Sequence, residues 1–436
     1  MHRQMPTTLT TLPSGCGVPN IRLMASRKVK RQSTARKPEQ PHESPETDRQ
    51  PELFETKRRR EVSEPERQGG SIESEPARAS SEPPASTKEE MLKSSHPEAK
   101  ELFDLAIKVK ALAPWGWMEE TDVFGVENPD TGELGFVSIM GRLGEHEAVA
   151  LYLGSEGLYA FIDLHEDEAA PPENLIQIRH VQAAFSDREY LEKEDRELIK
   201  QLGLKFRGAN AWPMFRSYRP GYLPWFVTVD EARFLIHVLS ATLDLAARIR
   251  NEANPIRPTG RVEKGGHLVL AARKENGGLV WEDQVRVVPR PKAEAVRVSL
   301  DAVLLDELKR VTLTDLELEV DLQIAPARIG TAGARPLTLY LVLAADRASG
   351  FLFGMEVMTA EDSLAAMRAR VPNVVGKFLL QHRIVPKWMI VRSDSLRQLM
   401  RPFTQSLNIE LMQEDELPSI DEAAESMGEW LRGGGI

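Results

Sequence analysis

The chain has 436 residues, a formal net charge of −10 and a single cysteine, Cys16. This length allows two or three domains. One cysteine excludes disulfides within the chain and zinc sites built on two or more cysteines. The acidic balance argues against broad, non-specific binding to nucleic acid, because such binding requires a basic surface.

Residues 1–95 are predicted to form a disordered polar tail. They are rich in Ser, Pro, Glu, Gln and Arg and offer few aromatic side chains to bury, so the entropy cost of ordering prevails. The tail carries 17 basic and 14 acidic side chains. Its basic clusters, Arg27–Arg31 and Lys57–Arg60, are therefore interpreted as parts of a solvated polyampholyte, with a nucleic-acid-binding arm as the alternative. Met24 is an alternative start to Met1.

Apolar runs in this chain are too short for a membrane span. The longest, Pro336–Ala345, falls well below the roughly 20 residues that a transmembrane helix needs. The N-terminus also lacks an apolar core followed by a small-residue cleavage site. We therefore predict a cytoplasmic protein with no membrane partner.

Residues 96–252 are predicted to form an α+β domain. Helical spacing of apolar residues, alternating strand patterns and two capping boxes, Ser186–Glu189 and Thr228–Glu231, carry this prediction. Asn128–Gly132 is a turn sequence typical of a hairpin. The expected helices cover 101–112, 186–203 and 228–246, and the expected strands cover 122–126, 134–140 and 147–153.

The segment Asn210–Phe226 combines six aromatic residues with two arginines and several prolines, and is predicted to be a loop. One interpretation is a ligand- or peptide-binding site formed by Trp212, Arg216, Tyr218 and Trp225, whose rings stack on a ligand. The other is that the aromatic side chains fill the core of their own domain. The second interpretation is favoured because no basic surround accompanies the segment.

Residues 253–295 are predicted to be a linker containing a short hairpin, 267–272 with 279–288, around Asn276–Gly278. The remaining residues, 296–436, are predicted to alternate strands and helices. A hairpin turn is expected at Asp346–Gly350. The expected helices cover 299–310, 359–371, 372–383, 395–407 and 418–431, and the expected strands cover 318–322, 337–345, 351–358, 386–391 and 409–413.

Carboxylates fall at strand and helix ends in this C-terminal region. Asp321 lies inside an apolar strand, where an acid is costly unless it is paired. Asp394 follows a strand, and Glu422 lies in the first turn of the last helix. Converging carboxylates would suit Mg2+, which prefers oxygen ligands. Alternatively, Asp394 caps the helix that follows, and Glu422 or Asp421 interacts with a helix dipole.

The element order of this region, together with the acid positions, resembles the ribonuclease H-like fold shared by ribonuclease H, retroviral integrases and many transposases. The resemblance implies that acids near the first strand, the fourth strand and the last helix bind two divalent cations, which stabilise the attacking and leaving oxygens of a phosphodiester. Carried over to this chain, these acids are Asp321, Asp394 and Glu422, with Asp421 and Glu425 as alternatives for the third acid. Ser395-Leu396 follows Asp394 where integrase-like enzymes have a small residue and a glycine, a departure that favours a non-catalytic domain.

Over residues 97–430 the chain also resembles a bacterial two-domain family known only as domains of unknown function. The matching segments are Gly144–Gly154, Trp212–Trp225 and Ile390–Asp394. This resemblance implies no activity. His146, which stands between acids in the first segment, is interpreted as solvated surface.

Together these patterns predict the fold class α/β and α+β. An N-terminal α+β domain with a hairpin-containing sheet precedes a C-terminal ribonuclease H-like mixed sheet flanked by helices. The favoured function is a non-catalytic interaction protein with a protein partner; the sequence identifies no cofactor, apart from Mg2+ if the protein is catalytic. The alternatives are a Mg2+-dependent nuclease or strand-transfer enzyme, and a ligand- or peptide-binding module at the aromatic segment.

Overall fold

The computed structural model describes residues 9–11, 91–144, 146–166, 172–251, 266–275, 278–292, 296–330 and 333–432. Both basic clusters of the predicted tail, and the turn residues Asn276 and Gly277, lie outside these ranges. Within the predicted tail, Leu9–Thr11 form a short strand. The remaining described residues build two mixed sheets with helices on their faces. This arrangement confirms the predicted fold class.

The helices are α1 Pro97–Leu112, α2 Gly154–Glu166, α3 Lys193–Gln201, α4 Val229–Asn251, α5 Ala302–Leu308, α6 Leu364–His382, α7 Asp394–Leu407 and α8 Pro418–Arg432. The strands are β1 Leu9–Thr11, β2 Phe124–Glu127, β3 Leu134–Met140, β4 Ala148–Leu153, β5 His180–Ser186, β6 Trp212–Tyr218, β7 Gly266–Glu275, β8 Gly278–Val287, β9 Leu313–Ile329, β10 Leu337–Asp346, β11 Leu352–Thr359, β12 Val385–Val391 and β13 Glu410–Gln413. Short 3-10 helices occur at Pro114–Gly116, Pro172–Gln177 and Arg188–Tyr190.

The first sheet has the strand order β6-β5-β4-β3-β2-β7-β8. Strands β2 to β6 form an antiparallel meander, and β7 pairs in parallel with β2. The hairpin expected in the linker is therefore the edge of this sheet. Helices α1 and α4 cover one face through side chains such as Phe103 and Leu235, and α2 covers the other through Leu158 and Phe161.

The second sheet has the order β11-β10-β9-β12-β13, with β1 also paired to β9. Strands β9, β10 and β11 are antiparallel, whereas β12 is parallel to both β9 and β13. The strand that contains Asp321 and the strand before Asp394 are therefore neighbours in this sheet. Helices α5, α6 and α7 pack on one face, and Leu417 and Ile420 at the start of α8 pack on the other.

Several helix boundaries differ from the expected ones. The capping box near residue 186 lies instead at Glu192 and Asp195, where α3 begins. Pro372 lies inside α6 rather than at the start of a second helix. Gly154 adopts φ 66° and begins α2, a helix that was not predicted, directly after β4. A glycine at positive φ permits this sharp reversal between the strand and the helix.

The two sheets meet at a backbone junction. Tyr222 and Leu337 form an antiparallel bridge. The Leu223 amide donates to the Pro336 carbonyl over 3.0 Å, and the Thr338 amide donates to the Gly221 carbonyl over 3.0 Å. The two sheets are thus joined by main-chain hydrogen bonds. Among the described helices, none combines the length and apolar character needed to cross a membrane.

Candidate functional site

Strand β9 carries two buried carboxylates on the sheet face that α8 covers. Glu319 is 0% exposed and Asp321 is 5% exposed. Two buried negative charges are costly unless they are paired and hydrogen-bonded. The parallel register aligns Val320 with Val391, which places Asp321 beside Arg392 at the end of β12.

The Arg392 guanidinium joins three elements. Its Nε lies 3.1 Å from Asp321 Oδ2, its Nη1 donates to the Asp415 carbonyl over 2.6 Å, and its Nη2 donates to Asp421 on α8. Burial acts to lower the pKa of Arg392, but the charges of Asp321 and Asp421 outweigh it and raise that pKa. Arg392 therefore stays protonated and supplies a permanent positive charge between the two carboxylates.

Glu319 binds the beginning of α8. Its Oε2 accepts hydrogen bonds from the amides of Ser419 (2.9 Å) and Ile420 (3.2 Å). Burial raises the pKa of Glu319, and the two backbone hydrogen bonds partly offset that rise. Arg347 Nε lies 3.7 Å from Glu319 Oε1. A carboxylate at a helix N-terminus satisfies amides that lack intrahelical partners, so Glu319 fixes α8 on the sheet.

Asp394 and Glu422 lie apart from this pairing. Asp394 is the first residue of α7, and its carboxylate accepts hydrogen bonds from Arg397 and from Gln398, the latter over 2.5 Å. The hydrogen bond from Arg397 lowers the pKa of Asp394. The cap of α7 is Ser393, whose Oγ accepts from the Leu396 amide over 3.2 Å. The expectation that Asp394 caps this helix was wrong, because the chain enters the helix one residue earlier.

Glu422 is exposed on α8, and its neighbour Asp421 makes the contact with Arg392. The structure thus brings Asp321 and Asp421 to one arginine, whereas Asp394 contacts side chains of its own helix. Within the ranges that the structure describes, no group of three or more His, Cys, Asp or Glu residues is arranged to hold a metal ion.

The aromatic segment is a strand and a turn rather than a loop. Trp212–Tyr218 form the edge strand β6, and Trp225 pairs back onto Ser217 through two backbone hydrogen bonds of 2.8 and 3.0 Å. Arg216 is 2% exposed, binds Asp195 over 2.9 Å and stacks on the Phe226 ring. Successive side chains of a strand point to opposite faces, so a strand that is covered on both faces buries nearly all of them. The prediction of a loop did not anticipate this burial.

The other three predicted ligand-binding residues, like Arg216, contact neighbouring side chains of the same part of the chain. Trp212 packs edge-on against Phe206 with 5.7 Å between ring centroids. Trp225 packs in the same way against Phe226 at 5.0 Å. Tyr218 is 1% exposed and stacks on His180 at 3.9 Å.

Tyr218 and His180 belong to a buried polar group on the α2 face of the first sheet. The Tyr218 hydroxyl donates to Gln182 over 3.1 Å, and the Gln182 amide lies 3.0 Å from His146 Nε2. Burial lowers the pKa of His180 to about 4, so its ring is neutral at pH 7. Burial also lowers the pKa of His146.

His146 is therefore partly buried against β5 and not a solvated surface residue. Gly141 permits this placement, because a Cβ at that position would lie 2.6 Å from the Glu147 Cα. The sequence reasoning missed the contact because β5 was not recognised as a strand.

The described residues define a mixed α/β protein built on two mixed sheets that are flanked by helices. Comparison with protein families gives two matches. Residues 100–263 match a domain of unknown function, DUF7309, and residues 304–428 match a second domain of unknown function, DUF6930. These two matches confirm the predicted resemblance to domains of unknown function for the matched segments. No curated protein and no solved structure matches the chain.

Proposed function

We propose that the protein is a non-catalytic cytoplasmic interaction protein, in which an α+β domain is joined to a ribonuclease H-like domain. The observation that carries this proposal is the position of Arg392. Its guanidinium lies between Asp321 and Asp421, where the resemblance to nucleases would place a divalent cation. The parallel pairing of β9 with β12 supports the ribonuclease H-like architecture.

The side chains present do not suit a Mg2+ ion. An arginine remains protonated in proteins and offers only donors, so it takes the place of a cation and repels another one. Asp394, the second acid of the nuclease interpretation, already binds Arg397 and Gln398. The pairing of Arg392 with both carboxylates supports a role in holding α8 on the sheet.

Thermal unfolding with and without metal tests this proposal. We expect Mg2+ and Mn2+ to leave the melting temperature of the full-length protein unchanged, because a bound ligand stabilises only the state that binds it. We also expect no cleavage of labelled single- or double-stranded DNA or RNA. The Asp321→Asn variant serves as the matched control, since it removes the acid that the nuclease alternative requires.

Metal-dependent cleavage that disappears in Asp321→Asn would overturn the non-catalytic proposal and establish the nuclease alternative. A metal-induced rise in melting temperature that also disappears in this variant would establish that Asp321 binds a metal ion.

The open edge of the second sheet supports an interaction with a protein partner. Strand β11 pairs only with β10 within the described sheet. It exposes Met355 and Val357, which are 48% and 50% accessible, and Phe351 lies just before it. An unpaired strand edge with apolar side chains is a ready template for a partner strand. We therefore assign the partner surface to β11.

Cross-linking in cells of the source organism, followed by mass spectrometry, tests this surface. The double variant Met355→Lys/Val357→Lys is expected to lose a partner that the wild-type protein captures, because charges on an edge strand oppose pairing. The matched control is Val285→Lys/Val287→Lys, which makes the same change on the edge strand β8. Equal capture by both double variants would remove β11 as the partner surface.

A further inference from the structure

The junction between the two sheets contains an arginine without a counter-ion. Arg368 projects from α6 and is partly buried, and no carboxylate or hydrogen-bond acceptor contacts its guanidinium in the described structure. Burial lowers the pKa of Arg368, while the Tyr340 hydroxyl acts in the opposite direction. Desolvating a charge without pairing it is unfavourable, so this residue needs an explanation other than folding.

Two further donors at the same junction are unused. Thr338 is 0% exposed, and its hydroxyl has no hydrogen-bond partner among the described residues. Thr338 and Tyr340 lie two residues apart on β10, and Tyr340 packs on the face that α6 covers. The Gln177 amide nitrogen is likewise buried without a partner there.

The orientation of the Gln177 amide follows from its other contacts. Its Oε1 accepts from the Tyr340 hydroxyl over 2.5 Å and lies 3.4 Å from the Gly221 amide nitrogen. A backbone N–H can only donate, so the atom facing Gly221 is the oxygen, and the NH2 group is the one left over. The unused groups at the junction are therefore a guanidinium, an amide NH2 and a hydroxyl.

We propose that this junction binds the phosphate group of a small molecule. Every unused group can donate, and one carries a full positive charge, which is the chemistry that recognises an oxyanion. The donors come from three elements: α6, β10 and the 3-10 helix Pro172–Gln177. A guanidinium alone satisfies the two oxygens of a carboxylate, whereas a phosphate has further oxygens for Thr338 and Gln177. Ligand sites also occur preferentially where domains meet.

The turn at Gly221 packs closely against the second sheet. Gly221 has φ 84°, and a Cβ at this position would lie 2.9 Å from the Ala360 Cβ. Glycine therefore lets the turn from the first domain lie against the end of β11. Its carbonyl accepts from the Thr338 amide, which fixes the strand segment that carries the unused hydroxyl.

Calorimetric titration of the full-length protein with inorganic phosphate and with phenyl phosphate, at constant ionic strength in chloride, tests the proposal. We expect at least one of these probes to bind and to raise the melting temperature. Acetate is expected to bind at least tenfold more weakly, because it has fewer oxygens and less charge. Failure of both phosphates to bind, or equal binding of acetate, would refute the assignment.

Variants locate the binding to the junction. Arg368→Gln is expected to weaken phosphate binding at least tenfold, and Thr338→Val to weaken it several-fold. Arg370→Gln is the matched control, because it removes the same charge only two residues further along α6. Unlike Arg368, Arg370 already has an acceptor, the Thr359 carbonyl. Unchanged binding in Arg368→Gln, or an equal loss in Arg370→Gln, would show that the anion binds elsewhere or without specificity.

Discussion

Two arginines of the C-terminal domain occupy contrasting surroundings. Arg392 is bound by Asp321, Asp421 and a backbone carbonyl, whereas Arg368 has no acceptor among the described residues. Both are partly removed from water, so both incur a desolvation cost. Only Arg392 recovers it within the protein. Arg392 is accordingly explained by the fold, and Arg368 by a ligand.

The largest expected effect comes from breaking the paired arginine. Arg392→Met leaves the buried Asp321 carboxylate without its counter-ion, and we expect the free energy of unfolding to fall by about 3–5 kcal/mol. Urea unfolding at pH 7 measures this change. Arg397→Met, which breaks the exposed pair with Asp394, is the control and should cost less than about 1 kcal/mol. Equal losses in the two variants would show that Arg392 is no more structural than a surface residue.

Acidification tests the buried polar group of the first sheet. Because the folded pKa of His180 is lowered to about 4, the unfolded state binds the proton more tightly. The contribution of neutral His180 to stability is fully present above the pKa of the unfolded state. It is lost as the pH falls toward the pKa of the folded state. We expect a loss of about 2 kcal/mol between pH 7 and about pH 5.

The His180→Phe variant keeps an aromatic ring beside Tyr218 and cannot titrate. Carboxylates contribute equally to both proteins, so the difference between the two stability curves isolates His180. Parallel curves between pH 7 and pH 5 would mean that the ring is accessible to water.

Replacing Arg368 should change the free energy of unfolding in the opposite direction from replacing Arg392. We expect Arg368→Met in chloride buffer to raise the free energy of unfolding by about 1 kcal/mol, because a desolvated charge is replaced by an apolar side chain of similar length. Chemical denaturation without phosphate measures this change. A loss of several kcal/mol would show that Arg368 has a structural partner, which would remove the contrast with Arg392.

The smallest expected effects distinguish the cap of α7 from its neighbour. Ser393→Ala should cost about 1 kcal/mol, because the Leu396 amide loses its acceptor. Asp394→Asn should change stability by less than about 0.5 kcal/mol, since its ion pair is exposed. Thermal unfolding of both variants measures the difference. A larger loss in Asp394→Asn would point to a function of this carboxylate beyond its contact with Arg397.

Local sequence signals predicted local structure well. The turn sequences Asn128–Gly132 and Asp346–Gly350 each join two strands as expected, and Thr228 with Glu231 forms the expected capping box. Each of these signals depends on residues within a few positions of one another, where side-chain chemistry alone determines the backbone conformation.

Contacts between distant residues were harder to predict. The cost of burying Asp321 indicated that it has a partner, but its pairing with Arg392 depends on the register between β9 and β12, which no local pattern specifies. Arg368 carries no sequence signature at all, because its significance lies in the acceptors that fail to surround it. The strand β5 and the placement of His146 were missed for the same reason.

The antiparallel bridge between Tyr222 and Leu337 has a consequence for how this protein can be divided. At this bridge, backbone amides and carbonyls of each half form hydrogen bonds with the other half. Fragments produced separately would therefore expose these groups without their hydrogen-bond partners. Mixed in equal amounts, such fragments are expected to reassociate and recover the spectroscopic signature of the intact chain. Encoding both halves in one polypeptide guarantees the one-to-one ratio that this mutual completion requires.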